Sequence, residues 1–79
     1  MTNKEKYDKV FMECFSLEEK ELDNDIEYNT IDSWDSIGHM EMIAELEDMF
    51  NIMMETDDVI NFSSYKKGME LMANYGIKI

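Results

Sequence analysis

Apolar residues recur at helical spacing in three long segments of this chain. In residues 2–16, 36–51 and 63–76 the apolar side chains fall three or four positions apart, which places them along one face of a helix. The pattern therefore predicts three main helices. The side chains expected to face the core are Tyr7, Val10, Phe11, Cys14 and Phe15 in the first helix, Met40, Ile43, Leu46 and Phe50 in the second, and Tyr65, Met69 and Met72 in the third.

Two shorter segments lie between the main helices. Residues 17–35 break the helical period and are rich in Asp, Asn, Ser and Thr, so they predict a loop of about 19 residues. Residues 55–61 can form one short helix with Thr56 as its cap, and we expect Phe62, directly after it, to anchor the core. The predicted fold class is all-α. It is a single domain over residues 1–79, a small four-helix bundle of three main helices plus one short helix, with a long loop between helices 1 and 2.

Composition narrows the classes of partner. The chain has 79 residues, with 19 acidic and 7 basic side chains, for a net charge of −12. Nucleic acid and anionic membranes would repel this charge, whereas a basic protein surface would attract it. No apolar run reaches membrane-spanning length, no signal peptide is visible, and the single Cys14 has no internal disulfide partner. We expect a cytoplasmic monomer that neither binds nucleic acid nor inserts into membranes.

Ser36 is the candidate reactive residue, and catalysis explains it poorly. A nucleophilic serine needs a base, and the only histidine is His39, which we expect to be solvated or at an interface. The Gly-x-Ser-x-Gly elbow is incomplete because Trp34 stands where its first glycine belongs. A calcium loop starting at Asp23 also fails, because Tyr28 replaces the required glycine and Trp34 the final glutamate. We expect neither an enzyme nor a metal site.

The position of Ser36 suggests two other roles. It stands where the second helix begins, and a helix N-terminus stabilises a phosphate through free N–H groups and the helix dipole. A phosphodiester on the Ser36 hydroxyl would therefore be well tolerated. Alternatively, Ser36, Asp35 or Ser33 is simply the N-cap of the helix. Periodicity does not separate these two possibilities.

The stretch "WDSIGHMEMIAELEDMF", residues 34–50, resembles the acyl carrier protein family. Asp35, Ser36 and Ile37 match the Asp-Ser-Leu-like motif of that family, and an acidic amphipathic helix follows. The resemblance covers the whole chain, from the first helix and long loop to the short third helix and the closing helix. Two departures stand out: Ser33 and Trp34 lie where the family often has a glycine before the motif, and Gly38-His39 follow the serine.

The resemblance implies a covalent cofactor. Ser36 would receive 4′-phosphopantetheine from coenzyme A through a phosphopantetheinyl transferase, and Asp35 would help to position the metal and basic groups of that enzyme. A loading ligase, synthase or transferase would then place an acyl group on the thiol of the arm as a thioester, in fatty-acid, polyketide or other specialised biosynthesis. The residues implied to dock on partner enzymes are Ile37, Glu41, Met42, Glu47 and Asp48.

Three questions stay open from the sequence. The protein could be an aminoacyl or peptidyl carrier that serves an adenylating ligase. It could also be an acidic interaction module in which Ser36 is only a helix cap. If it is a carrier, the inward residues of the bundle could part to hold an aliphatic chain, or the core could remain dry.

Overall fold

In the computed structural model, which describes residues 1–79, the chain folds into helices. Four α-helices follow one another in the order α1 (Asn3–Phe15), α2 (Ser36–Phe50), α3 (Thr56–Asn61) and α4 (Tyr65–Ala73). The three longer helices and the short α3 form a small bundle, which confirms the predicted all-α class. None of these helices has the length and apolar character needed to cross a bilayer.

The first helix owes its ends to local hydrogen bonds. The Thr2 hydroxyl accepts from the Glu5 N–H, and the Glu5 carboxylate accepts from the Thr2 N–H. Each side chain thus satisfies the backbone N–H of the other residue at the helix start. At the other end Ser16 adopts a left-handed conformation with φ 54°, and its N–H donates to the Met12 carbonyl. These caps fix where the long loop leaves α1.

The long loop is more ordered than its polar composition predicts. Residues Glu19–Asn24 form a 3-10 helix, which the sequence reasoning missed because its side chains are mostly charged and show no apolar period. Leu22, Ile26 and Trp34 are buried, so these scattered apolar side chains anchor the loop to the helices. The end of the loop is thereby held beside the start of α2.

A pair of backbone hydrogen bonds joins the loop to the segment before α4. The Tyr28 N–H donates to the Ser63 carbonyl at 2.9 Å, and the Tyr65 N–H donates to the Ile26 carbonyl at 2.8 Å. An isolated antiparallel bridge between Glu27 and Ser64 lies between them. Because of this clasp, Tyr28 lies close to both α2 and the end of α3.

The core is rich in aromatic rings. Trp34 is fully buried, with its ring centroid 5.0 Å from that of Phe15 and 5.4 Å from that of Phe11. Tyr7 donates from its hydroxyl to the Tyr65 carbonyl at 2.6 Å and so ties α1 to α4. Such ring pairs add to the free energy gained from area burial alone.

Several details of the predicted helices are corrected. Met40 was expected in the core, but its side chain is 56% exposed, because the buried face of α2 runs through Met42, Ile43 and Leu46 instead. The N-terminal cap of α3 is Glu55 and not Thr56. The last helix ends at Ala73, before the predicted end of the segment.

Candidate functional site

The N-terminus of α2 shows which of the three candidate residues caps the helix. Asp35 is the N-cap: its carboxylate Oδ1 accepts from the Gly38 N–H at 2.8 Å. Ser33 donates its hydroxyl to the Phe15 carbonyl at 3.1 Å. Ser36 is the first residue of the helix and is exposed. The possibility that Ser36 is the helix cap is therefore wrong, because the side chain that accepts from the Gly38 N–H belongs to Asp35.

Gly38 allows the loop to approach α2 closely. A Cβ atom built at this position would collide with the Ser33 carbonyl oxygen. The glycine therefore follows from the path of the loop, which runs directly over the first turn of the helix. Beside this contact Trp34 is fully buried, whereas Ser36 is exposed.

His39 is held by hydrogen bonds and is not free in solvent. Its Nδ1 lies 2.9 Å from the Trp34 indole nitrogen, and its Nε2 lies 2.8 Å from the Val59 carbonyl oxygen. The indole can only donate, so Nδ1 must accept, and the ring proton sits on Nε2 and is donated to Val59. The expectation of a solvated histidine is corrected, because both ring nitrogens are hydrogen-bonded within the protein. Since both ring nitrogens are engaged, neither can take a proton from Ser36.

A groove of about 350 Å³ lies beside Ser36, between α2 and α3. Sequence reasoning gave no sign of it, because its two walls are separated by about 20 residues in the chain. Its surface is mainly apolar, with a few hydroxyl groups at the rim. The residues that line it are Tyr28, Ser36, His39, Met40, Val59, Ile60, Phe62 and Ser63.

The residues implied to dock on partners fall into two groups. Ile37 is 70% exposed, and Glu41 and Asp48 are exposed along α2, so these three are accessible. Glu47 is only half-exposed, and its Oε2 accepts from the Met54 N–H at 2.9 Å. Its carboxylate therefore already fixes the link between α2 and α3.

Met42 does not belong to the accessible surface. Its side chain is fully buried in the core, which corrects its expected place among the docking residues. The physical reason is the direction of α2, whose buried face includes Ile43 and Leu46 beside Met42. Exposed apolar surface near Ser36 comes from Met40 and from Ile60, which is 72% exposed.

Cys14 and the acidic residues offer little further chemistry. No group of three or more His, Cys, Asp or Glu side chains lies together in a way that could hold a metal ion. Burial, followed by the nearby carboxylates of Glu45 and Glu41, raises the pKa of the half-buried Cys14 thiol to about 11. A thiol with such a pKa is mostly protonated at neutral pH and is a poor nucleophile.

Comparisons with known proteins add no support to the geometry of this site. No family model matches the chain, and neither a curated protein nor a solved structure does. The features that bear on function are therefore the Asp35-Ser36-Ile37 motif, its place at the start of α2, and the charge of the molecule.

Proposed function

We propose that this protein is an acyl carrier protein, which carries an acyl group as a thioester on a 4′-phosphopantetheine arm attached to Ser36. One observation carries the proposal. Ser36 is exposed at the first position of α2 while its neighbour Asp35 performs the capping, so the serine hydroxyl has no capping role to lose on modification. An accessible hydroxyl at this position is what a modifying transferase needs.

The physics of the helix start supports a phosphodiester there. The first turn of α2 directs N–H groups toward the end of the helix, where the helix dipole is positive. A phosphate bound to the Ser36 oxygen would lie at that end and be stabilised by it. Asp35 beside it keeps one carboxylate oxygen, Oδ2, free to interact with the metal and basic groups of the transferase, since Oδ1 is the atom that caps.

The charge of the molecule supports weak and fast docking on partner enzymes. The net charge of −12 and the exposed Glu41 and Asp48 favour surfaces rich in Lys and Arg, with Ile37 as an apolar contact at the centre. Each exposed ion pair is worth about 0–1 kcal/mol, so several together give short-lived complexes that salt weakens. A carrier that must visit a transferase, a loading enzyme and later partners in turn needs such complexes. We also propose that the protein is a cytoplasmic monomer and that its partners are enzymes of this kind.

The test is attachment of the arm. The unmodified protein is incubated with coenzyme A and a phosphopantetheinyl transferase of broad specificity, and its intact mass is measured. We expect a gain of one phosphopantetheine group in the wild type and none in Ser36→Ala. Ser33→Ala is the matched control, since it removes a nearby hydroxyl of the same loop and should still be modified.

Two results would contradict attachment of the arm to Ser36. One is an unchanged mass when the same transferase modifies another carrier in parallel. The other is modification of Ser36→Ala, which would place the arm elsewhere. Once the arm is attached, loading with acyl groups by a ligase or synthase, against loading with amino acids by an adenylating ligase and ATP, separates an acyl carrier from an aminoacyl carrier.

A further inference from the structure

The short helix α3 is held to α2 by one side-chain hydrogen bond. α3 has six residues, none of them buried, and its N-cap Glu55 makes no side-chain cap bond. His39 donates from Nε2 to the Val59 carbonyl and accepts at Nδ1 from Trp34, which is itself fixed in the core. We call this arrangement of His39, Trp34 and Val59 the histidine strap. On its far side α3 is held by Tyr75, whose hydroxyl contacts Glu55 and Asp58.

The ring of His39 also lies between the groove and the core. Its centroid is 6.2 Å from the Trp34 ring and 6.1 Å from the Phe62 ring, and both of those rings are buried. His39 and Phe62 both line the groove at the same time. The two rings therefore form its floor, and the strap keeps that floor closed.

We propose that His39 is the residue that limits the size of the group that the groove beside Ser36 can shelter. The inference rests on the proposed carrier function, because the group reaches the groove on an arm at Ser36. With the strap closed, a bound group is confined to the open groove of about 350 Å³. It does not enter the core.

The chemistry of the groove defines the class of group. An engineered apolar cavity of about 150 Å³ accommodates one benzene molecule, so this groove has room for roughly six to twelve carbon atoms. Its walls are formed by Met40, Val59, Ile60 and the ring of Tyr28, and no charged side chain is among the lining residues. The group that fits is a short, uncharged apolar acyl group, aliphatic or aromatic. A long aliphatic chain would extend into solvent.

The strap itself is tested on the unmodified protein. His39 is the only histidine, so its two ring nitrogens give unambiguous NMR signals, and the two hydrogen bonds predict the tautomer with the proton on Nε2 and none on Nδ1. In His39→Ala we expect amide exchange in α3 to become about tenfold faster, which corresponds to the loss of one net hydrogen bond, with exchange in α1 unchanged. His39→Gln retains a donor and an acceptor and should restore much of the protection.

Glu45→Ala, an exposed change on the same helix, is the control for a general effect on α2. Exchange in α3 that does not differ between wild type and His39→Ala would overturn the strap. A proton found on Nδ1 would overturn it as well, because Trp34 could then not donate to that nitrogen.

The size limit is tested on loaded protein. A phosphopantetheinyl transferase attaches the arm to the wild type and to His39→Ala, either from coenzyme A or from its butanoyl, octanoyl and hexadecanoyl thioesters. The melting temperatures of the products are then compared. For the wild type we expect the melting temperature to rise from butanoyl to octanoyl and then to level off. For His39→Ala it should continue to rise to hexadecanoyl, because the floor between groove and core is open. His39→Gln should behave like the wild type.

The outcomes separate the two proposals. A wild type that hexadecanoyl stabilises more than octanoyl, or a His39→Ala variant with the wild-type profile, would overturn the size limit while the carrier function stands. A protein that accepts no arm would overturn the carrier function and the size limit together. The exchange measurements on α3 remain a separate test of the strap in either case.

Discussion

Replacing Asp35 and Ser36 separately distinguishes a structural from a functional role at neighbouring positions. Asp35→Ala removes the oxygen that accepts from the Gly38 N–H at 2.8 Å. The loss of such a cap costs about 0.5–2 kcal/mol, and the loss of a negative charge at the helix start costs about 0.3–1 kcal/mol more. The second value is reduced by solvent here because Asp35 is exposed. We expect a decrease of about 1–2 kcal/mol in the free energy of unfolding.

Ser36→Ala should behave differently. Its side chain is exposed and does not cap the helix, and exposed substitutions of this kind usually change stability by less than about 0.5 kcal/mol. Alanine is also the better helix former, which favours the variant slightly. The variant should therefore keep its stability while it loses the ability to accept the arm.

Thermal and urea unfolding followed by circular dichroism measure these differences. In a domain of this size 1 kcal/mol shifts the melting temperature by about 4–8 °C, so the effect of Asp35→Ala is easily resolved. Asp35→Asn is the matched control, because it keeps a capping oxygen and removes only the charge. If Ser36→Ala lowered stability as much as Asp35→Ala, the assignment of the cap to Asp35 would be refuted, and with it the reason for regarding Ser36 as structurally free.

Three further predictions concern the rest of the molecule. Gly68→Ala should destabilise the fold by about 1–3 kcal/mol, because its Cβ would collide with the buried Phe62 ring and the Tyr7 hydroxyl; an unchanged urea midpoint would contradict this packing. Cys14, with its pKa raised from 9.0 to about 11, should react with iodoacetamide at pH 8 about a hundredfold more slowly than a free cysteine, and the rate should climb with pH toward pH 11; a rate equal to that of a small thiol would show that the site is open. Added salt should raise the melting temperature, since screening relieves the self-repulsion of a molecule with a net charge of −12; a melting temperature independent of ionic strength would argue against that repulsion.

The helices were predictable because their apolar spacing is strong, but the exact face of α2 was not. Met40 and Met42 both fit a helical stripe with neighbouring apolar residues, because α2 carries apolar side chains on more than one face. In the structure α2 packs against α1, Met42 is fully buried, and Met40 lines the groove. The pattern of apolar residues along the sequence does not show which side of a helix the neighbouring elements will cover.

The site was predictable in position and not in detail. The motif located Asp35 and Ser36 at the start of a helix, and the structure confirms that position. Three residues could have been the cap, and only the observed hydrogen bond to Gly38 identifies Asp35. The role of His39 was missed, because its partner Val59 lies 20 residues further along the chain and offers a backbone carbonyl, which any residue type would supply.

The position of Trp34 gives the molecule an intrinsic optical probe. The chain has one tryptophan and four tyrosines, so excitation at the red edge of the indole band selects Trp34 alone. Its ring packs on Phe15 and its nitrogen bonds to His39, so a single emission spectrum responds both to melting of the aromatic interior and to displacement of the imidazole. Unfolding and displacement of the His39 ring can thus be followed by fluorescence without any attached dye.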